Sequence, residues 1–343
     1  SNANDAYATI HGGTTDLKIG LSAIEGNLTL LSGGEITDEG IATVEGTLTA
    51  TTNQLHKIIT LNQLAVTGAL TLAPNGTGAV TIVNAAGLIL ATSTMGGTFS
   101  GTATNGHITQ SGALTITGAA TFITATTSKN IILDQNNAFA SSVTMKAGTG
   151  GSDAFNNITF KDSGGVDLVS STPSAGDLFI DASTDLDVDG ALSITATTGN
   201  ITQGSELAVG TTSTFTTSAS DGTITLNDAD NTFTGAVALN TDGSSGNATI
   251  KNDRALLLAA STVDGTLTAT ATAGNITQTG ALDIEGITTL VTLGAGADID
   301  LAANGTSNAF TGHLLITTNE TGSDEDAYVS IDGGTTDLII GNS

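Results

Sequence analysis

Asp5-Ala-Tyr-Ala-Thr-Ile-His-Gly-Gly-Thr-Thr-Asp-Leu-Lys-Ile-Gly20 returns near the far end of the chain as Asp326-Ala-Tyr-Val-Ser-Ile-Asp-Gly-Gly-Thr-Thr-Asp-Leu-Ile-Ile-Gly341, identical at 12 of 16 positions. Self-similarity of this kind overrides residue-by-residue readings, because a repeated block implies a repeated structural unit. Weaker relatives of the block lie between the two: Ile10/Leu17/Ile19, Ile82/Leu88/Leu90, Ile180/Leu186/Val188, Ile250/Leu256/Leu258 and Ile331/Leu338/Ile340. A second element, Gly-(Asn/His)-Ile-Thr-Gln, occupies Gly106 to Gln110, Gly199 to Gln203 and Gly274 to Gln278, with Ile36-Thr37-Asp38 as a degenerate first copy. A third sets an aromatic or aliphatic residue ahead of aliphatics at +4 and +6: Val66/Leu70/Leu72, Phe139/Val143/Met145, Phe233/Val237/Leu239 and Phe310/Leu314/Ile316. The three elements keep one order throughout.

With Ile36, Ile108, Ile201 and Ile276 as markers, the first and last units nearly agree in length and the middle one is longer by about one coil. The excess falls between Phe139 and Ile180, where Phe155-Asn-Asn-Ile-Thr-Phe160 has the pattern of an additional coil, so an extra rung is expected near 146–175. A stack of equivalent rungs tolerates such an insertion, whereas a closed barrel or sandwich does not. Locally the pattern is strand-like. Gly112-Ala-Leu-Thr-Ile-Thr117, Gly265-Thr-Leu-Thr-Ala-Thr270 and Gly222-Thr-Ile-Thr-Leu226 alternate apolar residues with Thr at period two, placing aliphatics inside and Thr outside. Gly12-Gly13, Asp134 to Asn137 and Asp242 to Gly246 supply turns. The expectation is an all-β right-handed parallel β-helix, a β-solenoid of about 17 rungs of roughly 20 residues. Residues 1–3 read as the remnant of a cleaved tag, with the natural chain extending further. Residues 4–343 read as a single solenoid of four to five imperfect repeats of roughly 75 residues.

Composition agrees with a thin, regularly stacked interior. Aromatic residues are 3% of the chain and Trp is absent, while hydrophobic residues at 38% and a mean hydropathy of +0.19 are too high for a disordered chain. The formal charge of −26 arises from 33 acidic and 7 scattered basic residues, which excludes a nucleic-acid partner, since phosphate neutralisation needs clustered Lys and Arg. No Cys is present, removing disulfides, thiol catalysis and Cys-based zinc sites, and no apolar run is long enough to span a membrane.

The cadence of Gly199 to Gln203, Gly106 to Ile116 and Gly274 to Ile284, with Asn-Thr-Phe-Thr-Gly at Asn231 to Gly235, resembles the repeats of filamentous-haemagglutinin-type exoproteins and related giant bacterial adhesins over almost the whole chain. The resemblance implies secretion, display at the bacterial cell surface, and a β-helix acting as a stalk: a rigid spacer or adhesive shaft. Host surfaces, neighbouring cells or glycans would be the partners of the parent protein, and the segment itself would be monomeric with end-to-end contacts open to it. The two-partner secretion domain of those proteins is not evident here.

No catalytic, cofactor-binding or metal-binding residue is assigned. β-Helices also include polysaccharide lyases and hydrolases, so an enzyme that binds or degrades polysaccharide is the rival reading, and it needs paired carboxylates. Asp185/Asp187/Asp189, Asp228/Asp230, Asp298/Asp300 and Asp324/Glu325/Asp326 are such pairs, read as solvated turn and edge residues. Arg254, the only Arg, has Thr14, Ala86, Thr184 and Thr335 as counterparts, which speaks against a shared active site. Asp185/Asp187/Asp189 offers oxygen ligands for a structural calcium ion, yet neither an EF-hand loop nor a tandem Gly-Gly-x-Gly-x-Asp nonapeptide follows. Gly12 to Asp16 and Gly333 to Asp337 carry only half of that motif. His11, His56, His107 and His313 are dispersed, with Asp332 standing in for His11 and Asn200 and Asn275 for His107. A minor alternative, ice binding, rests on Thr-x-Thr runs such as Thr266 to Thr272, which recur per unit and are equally the ordinary outer face of a strand.

Overall fold

Alternation at period two is realised as short parallel strands, most of which bury the residues the pattern assigns to the interior. The computed structural model describes residues 7–148, 155–164, 166–168, 178–180, 186–302, 307–320 and 326–341. It divides into two units, Ser1–Gly164 with Thr172–Thr184, and Gly165–Ser171 with Asp185–Ser343. Both are β-solenoids.

In the first unit the chain visits three faces per turn. Leu17–Ile19, Ile36–Asp38, the start of Ile59–Val66, Val80–Asn84, Phe99–Ala103, Ala120–Thr124 and Val143–Ala147 stack in parallel on one face. Tyr7–His11, Asn27–Ser32, Leu48–Thr52 and Leu70–Ala73 stack on a second. Ser22–Ile24, Ala42–Val44 and the end of Ile59–Val66 stack on the third. Leu88–Leu90 pairs through Leu90 with Leu70 of the second face and leads on to Ile108–Gln110, the start of Ile131–Phe139 and Ile158–Asp162. The second unit repeats the plan, with Ile201–Gln203, Ile224–Leu226, Ala248–Asn252, Leu267–Ala271, Thr288–Ala295 and His313–Asn319 on one face.

The described residues make about 13 turns, fewer than the 17 expected. The step between paired residues grows from Val80/Phe99 through Ile36/Ile59 to Ile131/Ile158, so many coils are longer than the uniform rung expected of them. In the stretch where an extra coil is expected, Phe155 is buried and Ile158–Asp162 pairs with Ile131–Phe139. Residues 149–154, 169–177 and 181–185 lie outside the described residues.

Repeat and turn do not coincide. From Ile36, three turns on one face lead through Ile59 and Val80 to Phe99, and the next marker, Ile108, stands on the following face, paired with Leu88. From Ile201, three turns lead through Ile224 and Ala248 to Leu267, and Ile276 stands on the following face, paired with Leu256. Within each unit a repeat is therefore three turns and one face, and the second copy emerges rotated relative to the first.

The interior is a column of aliphatics with the aromatics threaded through it. Phe99, Phe122, Phe139, Phe155, Phe160, Phe215, Phe233 and Phe310 are all buried. Phe99 meets Phe122 at 5.3 Å, Phe122 meets Phe139 at 6.1 Å and Phe139 meets Phe160 at 5.6 Å, spacings at which rings attract beyond their burial. Gly101 points inward between them: a Cβ there would come within 2.6 Å of the Phe99 ring.

Candidate functional site

The polar residues that recur in the repeat fold inward at the corners and are consumed by the stack. Gln110, the last residue of the second element, donates from Nε2 to Asn137 Oδ1 at 2.8 Å, and Asn137 Nδ2 donates back to Gln110 Oε1 at 3.0 Å. Gln203 and Asn231 make the same reciprocal pair at 2.7 and 2.9 Å, and Gln278 and Asn308 at 3.0 and 3.1 Å. Each Asn also accepts one backbone N–H, from Leu114, Leu207 or Leu282, where the chain leaves one face for the next. Buried amides with every group partnered fix a corner that backbone pairing alone leaves open. In the degenerate first copy Asp38 replaces the Gln and Leu64 replaces the Asn, and the reciprocal pair is absent.

A second inward amide marks another corner. Asn84 Oδ1 accepts the Val66 N–H at 2.8 Å while its Nδ2 donates to Val66 O at 2.8 Å and Gly87 O at 2.6 Å, so the side chain stands in for a strand residue. Asn252 does the same with Phe233 and Ala255. Asp162 holds the place in the intervening copy, accepting the Phe139 N–H at 3.0 Å and the Gly164 N–H at 3.1 Å. Burial pushes its carboxyl above the ordinary aspartate value, against the lowering effect of those backbone donors. Sequence reasoning misses these inward amides, because it assigns Asn to turns. The signal is nonetheless present in the constant spacing that puts Asn137, Asn231 and Asn308 two positions before Phe139, Phe233 and Phe310.

Among the described residues the acids are taken up in local turns and at strand edges rather than gathered into one site. Asp228 Oδ1 accepts the Asp230 N–H at 3.0 Å, closing a local turn. Asp298 accepts the Tyr328 N–H at 2.8 Å, and Asp300 accepts the Ala302 N–H at 3.1 Å. Asp187 lies between the buried Leu186 and Val188 and faces outward; partial burial first, and Asp189 second, raise its carboxyl. Asp185, Asp324 and Glu325 lie outside the described residues, and Asp326 is exposed. Among the described residues no three Asp, Glu or His side chains are grouped to hold a metal. Arg254 bonds its neighbour Asp253 at 2.8 Å on the surface.

The histidines are dispersed as expected. His107 Nδ1 accepts the Asn130 N–H at 2.9 Å, and its stand-ins Asn200 and Asn275 accept those of Thr223 and Asp298, each at 2.8 Å. His56 Nδ1 bonds the Thr77 hydroxyl at 2.7 Å.

The outward columns are richer in hydroxyls than the runs along the chain suggest. Thr37, Thr60, Thr81, Ser100, Thr121 and Thr144 are stacked in register on one face of the first unit. Thr202, Thr225, Thr249, Thr268 and Thr289 form the corresponding ladder of the second. The neighbouring columns are mixed: Val83, Thr102, Ile123 and Lys146 in one, Lys251, Thr270, Val291 and Thr317 in the other. A regular hydroxyl array is thus a single column wide.

Comparison with known proteins gives neither a curated relative nor a solved structure that matches. One family model matches four successive segments, residues 4–73, 77–146, 156–240 and 245–317, and each segment carries the three sequence elements in their constant order. With most of its length matched in this way, the chain belongs to the family described as Repeats of unknown function (DUF5649).

Proposed function

We propose that these repeats build a structural segment of a secreted, surface-displayed bacterial stalk, a spacer or adhesive shaft of the filamentous-haemagglutinin type, with no catalysis of its own. The observation that carries this reading is the fate of the recurring polar residues. Gln110/Asn137, Gln203/Asn231 and Gln278/Asn308 are turned into the corners and satisfied there, so what the repeat preserves is the coil itself. A unit that encodes its own stacking adds length with each copy, and stability as a sum over neighbours. The charge of −26 keeps such surfaces apart and soluble. Antibodies raised against the chain are expected to label intact cells of the parent organism. Incubation with a polysaccharide panel should release neither reducing ends nor unsaturated products. Labelling confined to lysed cells, or turnover of any polysaccharide, overturns the proposal.

The Thr ladders favour one second reading, ice binding. Their spacing along the stack, about 4.8 Å, is regular, but the single-column width and the lysines beside them count against it. Ice-recrystallisation inhibition that vanishes in a Thr225→Lys, Thr249→Lys double variant would establish it in place of the spacer role.

A further inference from the structure

Several coils are pinned to the next by a side-chain acceptor that stands immediately before a strand. Asn27, Asn200, Asn247 and Asn275 each accept, through Oδ1 at 2.8 Å, the backbone N–H of a residue one coil on. His107 fills this place ahead of Ile108–Gln110, and its Nδ1 accepts the Asn130 N–H at 2.9 Å. An amide oxygen accepts at any ordinary pH. An imidazole nitrogen accepts only while it is unprotonated, and imidazole is the side chain whose charge ordinarily changes between about pH 5 and 8.

The surroundings of His107 make that difference matter. A backbone N–H cannot turn into an acceptor, so a protonated Nδ1 sets donor against donor. The coil before presents Ala85, Ala86 and Gly87, which carry no charge, and the Leu88 N–H is already given to the His107 carbonyl at 2.9 Å. The coil after presents Ser128, Lys129 and Asn130, where Lys129 is the one charged side chain, and it repels an imidazolium. Ser128 holds φ at +55°, a left-handed conformation that a residue with a Cβ keeps only while its neighbours enforce it. Asn130 in turn carries the coil beyond, with its Oδ1 accepting from Asn156 Nδ2 at 2.7 Å and from the Asn157 N–H at 3.2 Å.

His56 supplies a contrast within the same unit. Its Nδ1 lies 2.7 Å from the Thr77 hydroxyl, which can donate to the neutral ring and accept from the charged one, so that contact survives protonation. The charges around it are of both signs, Lys57 beside it and Glu35 on the coil before.

We propose that His107 is an acid-released latch. Neutral, it clips the coil of Asn130 to its own; protonated, it lets the corner at residues 125–130 open while the rest of the stack stays closed. Proton uptake and the bond exclude one another, so opening is favoured as pH falls.

Amide hydrogen exchange on the whole chain, corrected for its intrinsic pH dependence, reads the latch directly. Between about pH 8 and pH 5 the protection of the Asn130 N–H should fall roughly tenfold, the size expected for the loss of one hydrogen bond. The midpoint should coincide with the titration of the His107 ring carbons in the same sample. The Thr223 and Thr266 N–H groups, held by Asn200 and Asn247, should keep their protection. His107→Asn, which installs the residue found at Asn200 and Asn275, should abolish the fall, and His56→Asn should leave it unchanged. Asn130 protection that ignores pH, a fall that persists in His107→Asn, or an equal fall at Thr223 each overturns the proposal.

Discussion

Asn231 shows what a single buried amide does in this fold. It joins Gln203, the Leu207 N–H, the Leu226 carbonyl and the Lys251 carbonyl, at distances from 2.7 to 3.3 Å. Asn231→Leu leaves those groups buried and unpartnered, and stranded polar groups cost about 1–3 kcal/mol each, partly relieved by relaxation. A loss of about 3 kcal/mol in chemical denaturation is expected. Pairing it with Gln203→Leu should cost less than the sum of the two, because the amide left behind by one change is removed by the other. Strict additivity would show that the pair is not coupled. Asp162 is the complementary case, an acid where the sister copies have Asn84 and Asn252. Its folded-state carboxyl is raised, chiefly by burial, so its contribution to stability is complete below the unfolded aspartate value and declines as pH rises through the folded one. Asp162→Asn has no proton to lose and regains a donor. The variant should match the native chain in acid and exceed it at neutral pH, by about 1 kcal/mol for one recovered hydrogen bond. Thermal melts in which the native chain is the more stable at neutral pH would contradict this.

At the scale of the strand, packing is set by which inward residue faces which across the rungs. Gly101 lies in register between Ile82 and Phe122, with the Phe99 ring folded over it. Gly101→Ala normally helps a strand by reducing backbone entropy, yet here the added methyl meets the ring at 2.6 Å, and overpacking of a tight core costs about 1–3 kcal/mol. The melting temperature should fall, and Gly101→Ala combined with Phe99→Leu should recover part of the loss; a rise for the single variant would show that the ring moves aside freely. The strands themselves were legible in the sequence. Leu114–Ile116, Leu267–Ala271 and Ile224–Leu226 fall where Thr alternates with aliphatics, because period two is a direct image of inside and outside. The corners were not legible. An inward Asn and a turn Asn look alike one residue at a time, and their difference lies in a partner a full coil away, as for Gln110 and Asn137. The Thr ladders were hidden for the same reason, since Thr225, Thr249 and Thr268 are neighbours only across coils. The dispersal of the described acids was legible, as was the equivalence of His107 with Asn200 and Asn275.

For each solenoid unit as a whole, the mismatch between repeat and turn governs which changes in length the stack accepts. Within the first unit Leu28 pairs with Leu48, and Leu48 with Leu70, so a whole coil can be removed by joining residues that already lie one above the other. Deleting residues 29–48 places Thr49 directly after Leu28, keeps every later strand on its face, and removes the one copy of the second element that lacks a Gln/Asn pair. Neighbour terms at one interface are lost and an equivalent interface forms, so stability should fall only modestly and the β-sheet signal per residue should be unchanged. Deleting residues 29–38 removes half a turn. Leu28 would then run directly into Glu39, setting Gly40 in the inward place of Leu30 and taking it from the corner where it packs against the Leu21 backbone. That shorter deletion should be the more damaging of the two, seen as rapid proteolysis and a broadened melt. Such an inversion, in which the loss of a whole coil does less harm than the loss of half of one, is the signature of coils as the unit of folding. Equal damage from both deletions would mean instead that the three-turn repeat is the smallest piece the stack can lose.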